Sequence, residues 1–299
     1  MKSGKLAKLG GDWKTVWINP VLNKEIRLRM RSSRSMWTLF FYLLAIGLLG
    51  LSAIYLTQEL SGSNTSFNPE HSRVLFTFLS MAQLGLIAFM APGLTAGVIS
   101  GEREKQTLNL LLTTQQSSST IIISKLLSSL SFMTLIVLST IPIYSMIFLY
   151  GGVSPKQLLL VFLFYLFMML VLGSFGVMFS TLLKKTMISV ISTYGVALFM
   201  FVGTAILYFV MMTAYNSQSY GNSNAWMGHI VAFNPAAALY SILDPSITNE
   251  IFGYSRSSTH SGSSALMPLW LEFMLIYLVL SLLALWLAIR NLRPRLKRK

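Results

Sequence analysis

Six stretches of this chain are apolar for about 20 residues or more: Met36–Leu56, Val74–Ile99, Ile121–Tyr150, Gln157–Leu182, Met187–Ala214 and Met267–Ile289. Such a length in helical form spans the roughly 30 Å of bilayer hydrocarbon. An open strand there would leave its backbone polar groups unsatisfied. The chain is therefore expected to be an all-α membrane protein with six transmembrane helices. Several blocks exceed the minimum, so tilt or emergence from the bilayer is expected. Pro92 and Pro142 fall inside the second and third blocks. Each lacks a backbone donor, which predicts a kink. Charged residues make up only 11% of the chain, against about 25% in a soluble domain. Cysteine is absent, which excludes disulfides, thiolate metal sites and cysteine nucleophiles.

A net charge of +14 on a soluble protein would suggest nucleic acid. Here the basic residues flank apolar blocks, the pattern that sets membrane orientation, and no nucleic-acid partner is expected. With six spans, segments 1–35, 100–125, 183–186 and 290–299 share one side and hold 20 of the 23 Lys and Arg. Arg73, Lys156 and Arg256 fall on the other side. Both termini are thus expected in the cytoplasm of a cell with the chain multi-pass in its plasma membrane. No cleavable signal peptide is expected: nine basic residues precede a first block that is too long and lacks a small-residue cleavage site.

Three segments outside the spans carry pattern. In Trp13–Arg34, the residues Trp13, Trp17, Val21, Leu22, Ile26 and Met30 fall near helical spacing, with Lys24, Glu25, Arg27, Arg29, Arg31 and Arg34 between them. This predicts an amphipathic helix on the inner leaflet, tryptophans at headgroup level and basic residues near anionic lipid. The alternative is a plain orientation signal, which needs the charges but not the apolar stripe. Residues 215–266 form a long outer loop, in which the apolar run Trp226–Leu243 predicts one or two helices lying at, or dipping into, the outer membrane surface. Between the second and third blocks, Gly101–Thr114 reads as a short helix with Leu108, Leu111 and Leu112 on one face. Glu102 and Glu104 sit near its start, where acids favour the helix dipole. Held by two spans, such a helix is a lever that a cytoplasmic partner could grip. A solvated turn with a charge run fits these residues equally well.

The chemistry that is missing narrows the function. No phosphate-binding Gly-x-x-x-x-Gly-Lys-Ser/Thr loop is present, so ATP hydrolysis cannot come from this chain. His71, His229 and His260 are far apart, and no catalytic, cofactor or metal site is expected. Ionisable residues inside spans mark ion pathways. Here Lys125 and Glu272 lie near span ends, where they can snorkel, and Gln83 is the clearest mid-span polar group. That weighs against an ion-coupled secondary transporter. Gly173, Ser174, Gly176 and Ser180 form a small-residue face in the fourth block, with Gly85, Gly93 and Gly97 in the second. Such faces allow close helix approach, here expected within one subunit rather than across a dimer seam.

Pro92–Ser100, the cluster Gly101-Glu102-Arg103-Glu104-Lys105-Gln106-Thr107-Leu108 and the run Ile121–Leu127 with Lys125 together resemble the membrane subunit of type-2 ABC exporters. Asn19-Pro20 with Lys24-Glu25, and Phe233-Asn234-Pro235, resemble further parts of that family. Gln106 and Ser124 depart from it, since many relatives carry Gly at each. The resemblance implies one permease domain over 1–299. Residues 1–35 form its interfacial helix, 36–214 spans 1–5, 215–266 the extracellular loop, 267–289 span 6 and 290–299 a basic tail. It implies two ABC ATPase subunits as partners, with ATP and Mg on them, a second permease subunit, identical or paralogous, and membrane lipids. Glu102, Arg103, Glu104, Lys105, Thr107, Leu108, Leu111 and Leu112 would then form the ATPase-coupling helix. Trp13, Trp17, Lys24, Glu25, Arg27 and Arg31 would belong to the interfacial helix. The implied function is ATP-driven export or extraction of a hydrophobic or amphipathic peptide, lipid or drug. A non-transporting sensory or immunity subunit is the alternative.

Overall fold

The computed structural model describes residues 26–27, 30–61, 69–108, 117–149, 151–216, 226–251 and 267–292. Among these there is no strand, and six helices are long and apolar enough to cross a membrane. Span 1 is α1 (Ser33–Ser61) and span 2 is α2 (Pro69–Thr95). A break over 96–99 separates α2 from the short α3 (Ser100–Glu104). Span 3 comprises α4 (Ser118–Leu138) and α5 (Ile141–Leu149), and span 4 is α6 (Pro155–Leu182). Span 5 comprises α7 (Thr186–Leu198), a π-helical turn (Phe199–Gly203) and α8 (Thr204–Asn216). Three short helices follow: α9 (Trp226–Val231), α10 (Pro235–Leu243) and α11 (Ser246–Ile251). Span 6 is α12 (Leu269–Leu292).

Spans 3 and 4 form the centre of the bundle: 61% and 50% of their most apolar windows are buried, against 17% for spans 1 and 5. The outward faces carry Phe89, Leu149, Met187, Ile191 and Phe209, all exposed within the chain. In water such faces would be an aggregation hazard; in a bilayer, lipid covers them. The core holds Ile46, Leu79, Ile87, Met133, Ile136, Phe164, Met168 and Phe273, all essentially inaccessible. Hydrogen bonds between buried polar groups tie its helices together. Gln83 Nε2 donates to Thr140 Oγ1 (3.1 Å), linking spans 2 and 3, and Tyr165 Oη donates to the Ser80 carbonyl (2.9 Å), linking spans 4 and 2.

Both prolines mark interruptions, each displaced from the ring. The helix runs through Pro92, whose carbonyl still accepts from Ala96 N (2.9 Å), and breaks one turn later. Span 3 breaks at Ser139–Thr140, before Pro142, which then occupies the first turn of α5, where its missing donor costs nothing.

At the end of the bundle away from the Lys and Arg clusters, α10 lies across spans 2, 4 and 6. The Leu243 carbonyl accepts from Arg73 (3.3 Å) and Gln157 (3.2 Å), and Trp270 N donates to Ser241 Oγ (3.1 Å). Asn234 caps α10 by accepting from Ala236 N (2.8 Å) and Ala237 N (3.3 Å). Its Nδ2 donates to the Phe201 carbonyl (2.9 Å) inside the π turn, a widened ladder of the kind that redirects carbonyls. Asn234 therefore ties this cap to span 5. The Asp244 carboxyl accepts from Ser246 N and Oγ, which together with Arg73 holds its pKa below the usual carboxylate range.

Candidate functional site

The helix that the sequence pattern predicts from Gly101 is interrupted after Glu104 within the described residues, and Leu108 is helical again. The chain turns helical at Ser100, and α3 closes after Glu104. Thr107 N donates to the Glu102 carbonyl (3.0 Å) and Gln106 N to the Arg103 carbonyl (3.1 Å). Those two bonds make a Schellman closure, whose left-handed position usually holds glycine. Here it is Gln106, at φ 58°, the one non-glycine residue with positive φ among the described residues. Leu111 and Leu112 lie outside the described residues.

Each side chain of Glu102-Arg103-Glu104 reaches a different span. Glu102 Oε1 pairs with Lys125 Nζ of span 3 at 2.5 Å. Lys125 is 4% exposed. The expectation that it snorkels to water is therefore corrected: it is buried, and the Glu102 carboxylate compensates its charge. Arg103 donates to the Thr181 carbonyl (3.1 Å) and the Leu183 carbonyl (3.3 Å), at the end of span 4. These are carbonyls a helix terminus leaves over, and a cation there suits the dipole. Glu104 Oε1 accepts from Thr186 N (2.7 Å), the first residue of span 5. The N-cap residue of that helix, Lys185, makes no capping bond of its own, so Glu104 caps it from another element.

Leu108 completes the junction. It is buried in a cluster with Ile99, Ile122 and Leu126 of spans 2 and 3, Val177 of span 4, and Ala288 and Leu292 of span 6. Lys105, Gln106 and Thr107, with Lys184 and Lys185 of the neighbouring loop, remain exposed. One short acidic helix thus gathers the ends of spans 3, 4, 5 and 6, and presents Lys105–Thr107 at its tip.

Sequence reasoning singled out the acids and missed their partners. Spacing along the chain cannot pair Glu102 with a lysine 23 positions on, or Glu104 with a backbone amide 82 positions on. It named Ser180 only as part of a small-residue face and missed Ser189; the hydroxyls of both bond the broken backbone of span 2. The small-residue face of span 4 does pack within the subunit. A Cβ on Gly176 would lie 2.1 Å from Thr95 Oγ1, and one on Gly173 would lie 3.0 Å from Leu126 Cδ1. Gly93 and Gly97 face Tyr194 and Thr186 of span 5 in the same way. Of the interfacial set, Trp13, Trp17, Lys24 and Glu25 lie outside the described residues. Arg27 and Arg31 are one helical turn apart (Arg31 N to the Arg27 carbonyl, 3.1 Å) and exposed. At the far end, Glu272 is paired with His229 at 2.6 Å.

Six membrane-length helices, with spans 2 to 6 gathered at one end by a polar junction, define a multi-pass membrane protein of permease type. The model of the family described as ABC-2 family transporter protein matches residues 19–290. The chain belongs to that family, whose members are normally the non-catalytic membrane subunits of ABC transporters. No curated protein matches the chain.

Proposed function

We propose that the chain is the permease subunit of an ATP-driven exporter, working with two separate ATPase subunits and a second permease, identical or paralogous. It lies in the plasma membrane with both termini cytoplasmic, and moves or extracts a hydrophobic or amphipathic substrate such as a peptide, lipid or drug. ATP and Mg are held by the partner ATPases.

The observation that carries this reading is the junction of α3. Force applied at Lys105–Thr107 passes to span 3 through Lys125–Glu102, to span 4 through Arg103 and to span 5 through Glu104. The lengths support it too. The Ser72–Glu104 and Ser118–Leu149 stretches, each interrupted once, have 33 and 32 residues along their path. At about 1.5 Å per residue each is roughly 50 Å long against about 30 Å of hydrocarbon. A tilt of about 20° shortens that by only about 3 Å. The excess carries the junction clear of the lipid, where a soluble ATPase can reach it. In this reading Glu102, Arg103 and Glu104 transmit the motion, and Lys105, Gln106 and Thr107 receive it.

The test is co-purification with the cognate ATPase in nanodiscs, followed by ATP turnover with and without the permease. Glu102→Lys with Glu104→Lys is expected to abolish permease-dependent stimulation while membrane insertion persists. Stimulation that survives the double change refutes the coupling role, and a wild-type chain that binds no ATPase refutes the function.

A further inference from the structure

Span 2 is cut where it meets α3. Over 96–99 the helical ladder lapses, leaving donors and an acceptor that must be satisfied in a buried, low-dielectric setting. The Ser180 hydroxyl on span 4 meets the donors: its Oγ accepts from Ile99 N at 2.8 Å and from Ser100 N at 2.9 Å. Its proton goes to Ser100 Oγ (3.2 Å), which in turn donates to the Ala96 carbonyl (3.2 Å). A serine hydroxyl offers one donor and two acceptor sites, and here all are used. From span 5, Ser189 Oγ donates to the same Ala96 carbonyl at 2.7 Å. Ser100, Ser180 and Ser189 are each fully buried.

The glycines one and two turns earlier explain how Ser180 comes so close. No Cβ fits at Gly176, where Thr95 Oγ1, Thr95 Cβ and Ala96 N lie 2.1, 2.9 and 3.2 Å away. The Gly-x-x-Gly-x-x-x-Ser pattern at 173, 176 and 180 is thus a seat for the broken backbone. By contrast, Ser174 on the same helix bonds only its own Leu170 carbonyl (2.7 Å).

We infer that Ser180 is a positioning residue, whose hydroxyl clamps the break in span 2 and so sets the direction in which α3 is presented to the ATPase. This rests on the coupling role proposed above. Without the clamp, Ile99 N and Ser100 N lose their acceptor on span 4, the joint keeps only its local backbone bonds and the Ser189 tie, and force at the tip of α3 bends it instead of moving the bundle.

The test uses the full chain in nanodiscs with two readouts. The first is amide hydrogen exchange at Ile99 and Ser100, which needs no ATPase. The second is permease-dependent stimulation of ATP turnover by the cognate ATPase, with ATP as the probe. Ser180→Ala is expected to speed exchange at those two amides about tenfold, with the rest of span 2 unchanged. It is expected to cut stimulation about threefold through kcat, the KM for ATP being unaltered. Ser174→Ala, which deletes an equally buried hydroxyl, is expected to change neither. Ser180→Cys, close in size and a weaker acceptor, gives a smaller rise in exchange and serves if the alanine variant does not insert. Unchanged exchange in both Ser180 variants overturns the clamp. Faster exchange with full stimulation overturns its positioning role. Failure of the wild-type chain to bind any ATPase is seen without a variant, and marks failure of the proposed function itself.

Discussion

Lys125 is only 4% exposed, and the Glu102 carboxylate beside it offsets the charge buried there. Breaking a buried pair costs more than the pair contributes, since the surviving charge is left in a poor solvent. Glu102→Gln is expected to destabilise the bundle by about 2–3 kcal/mol, the low end for a buried pair because the carboxylate is partly exposed. Glu102→Gln with Lys125→Met is expected to recover most of that loss, as measured by a double-mutant cycle of denaturation in mixed micelles. Gln106 poses the opposite case. Its left-handed backbone closes α3, and a side chain there is strained. Gln106→Gly is expected to stabilise by about 0.5–1 kcal/mol, and Gln106→Val to destabilise by about 1–2 kcal/mol, on the same assay. A midpoint that does not move in either variant would mean that α3 does not close there.

Among the elements, the seam between spans 2 and 4 is the tightest. Gly176→Ala forces a Cβ to 2.9 Å from Thr95 Cβ even if the Thr95 hydroxyl swings away, so the two helices must part. A loss of about 3 kcal/mol is expected, at the upper end for overpacking. Gly47 and Gly195 have open space around them, and alanine at either is expected to be neutral or stabilising by up to about 1 kcal/mol through helix propensity. The contrast can be read from thermal unfolding midpoints of the three variants. The spans themselves were legible because lipid demands only length and apolarity, which a sequence displays directly. Their internal breaks were legible only as a hint. Pro92 announces an interruption, but its position four residues on depends on Ser180 and Ser189, which no local pattern links to it. For the same reason the break after Glu104 was not foreseen: leucines at helical spacing suggested a continuous helix, whereas a turn over 105–107 sets Leu108 inward against spans 3, 4 and 6. Asn234-Pro235 was read only as a family resemblance; that it starts α10 and bonds the π turn of span 5 depends on a fold the dipeptide does not specify.

Taken as a whole, the molecule holds a weakly buried span 5 by polar ties as well as by its packing on spans 2 and 4. Glu104 to Thr186 N, Ser189 to the Ala96 carbonyl and Tyr194 to the Phe89 carbonyl (2.7 Å) fasten it to span 2, and Asn234 fastens it to the opposite cap. If α3 drives the bundle, span 5 should travel with it as one body at the junction. The chain contains no cysteine, so this can be asked with a single engineered pair. A Cβ at Gly97 lies 3.2 Å from Thr186 Cγ2, which puts the two positions near disulfide distance. Gly97→Cys with Thr186→Cys is expected to cross-link readily on mild oxidation, as seen by reduction-sensitive migration between protease fragments. The oxidised complex is expected to retain permease-dependent ATP turnover within about twofold of its reduced form, because a rigid junction loses nothing by being fastened. A collapse of turnover on oxidation, restored by reductant, would mean that the start of span 5 parts from span 2 in each cycle. In that case the polar ties of Glu104 and Ser189 would be broken and remade with every ATP, and the junction would be a hinge and not a rigid body.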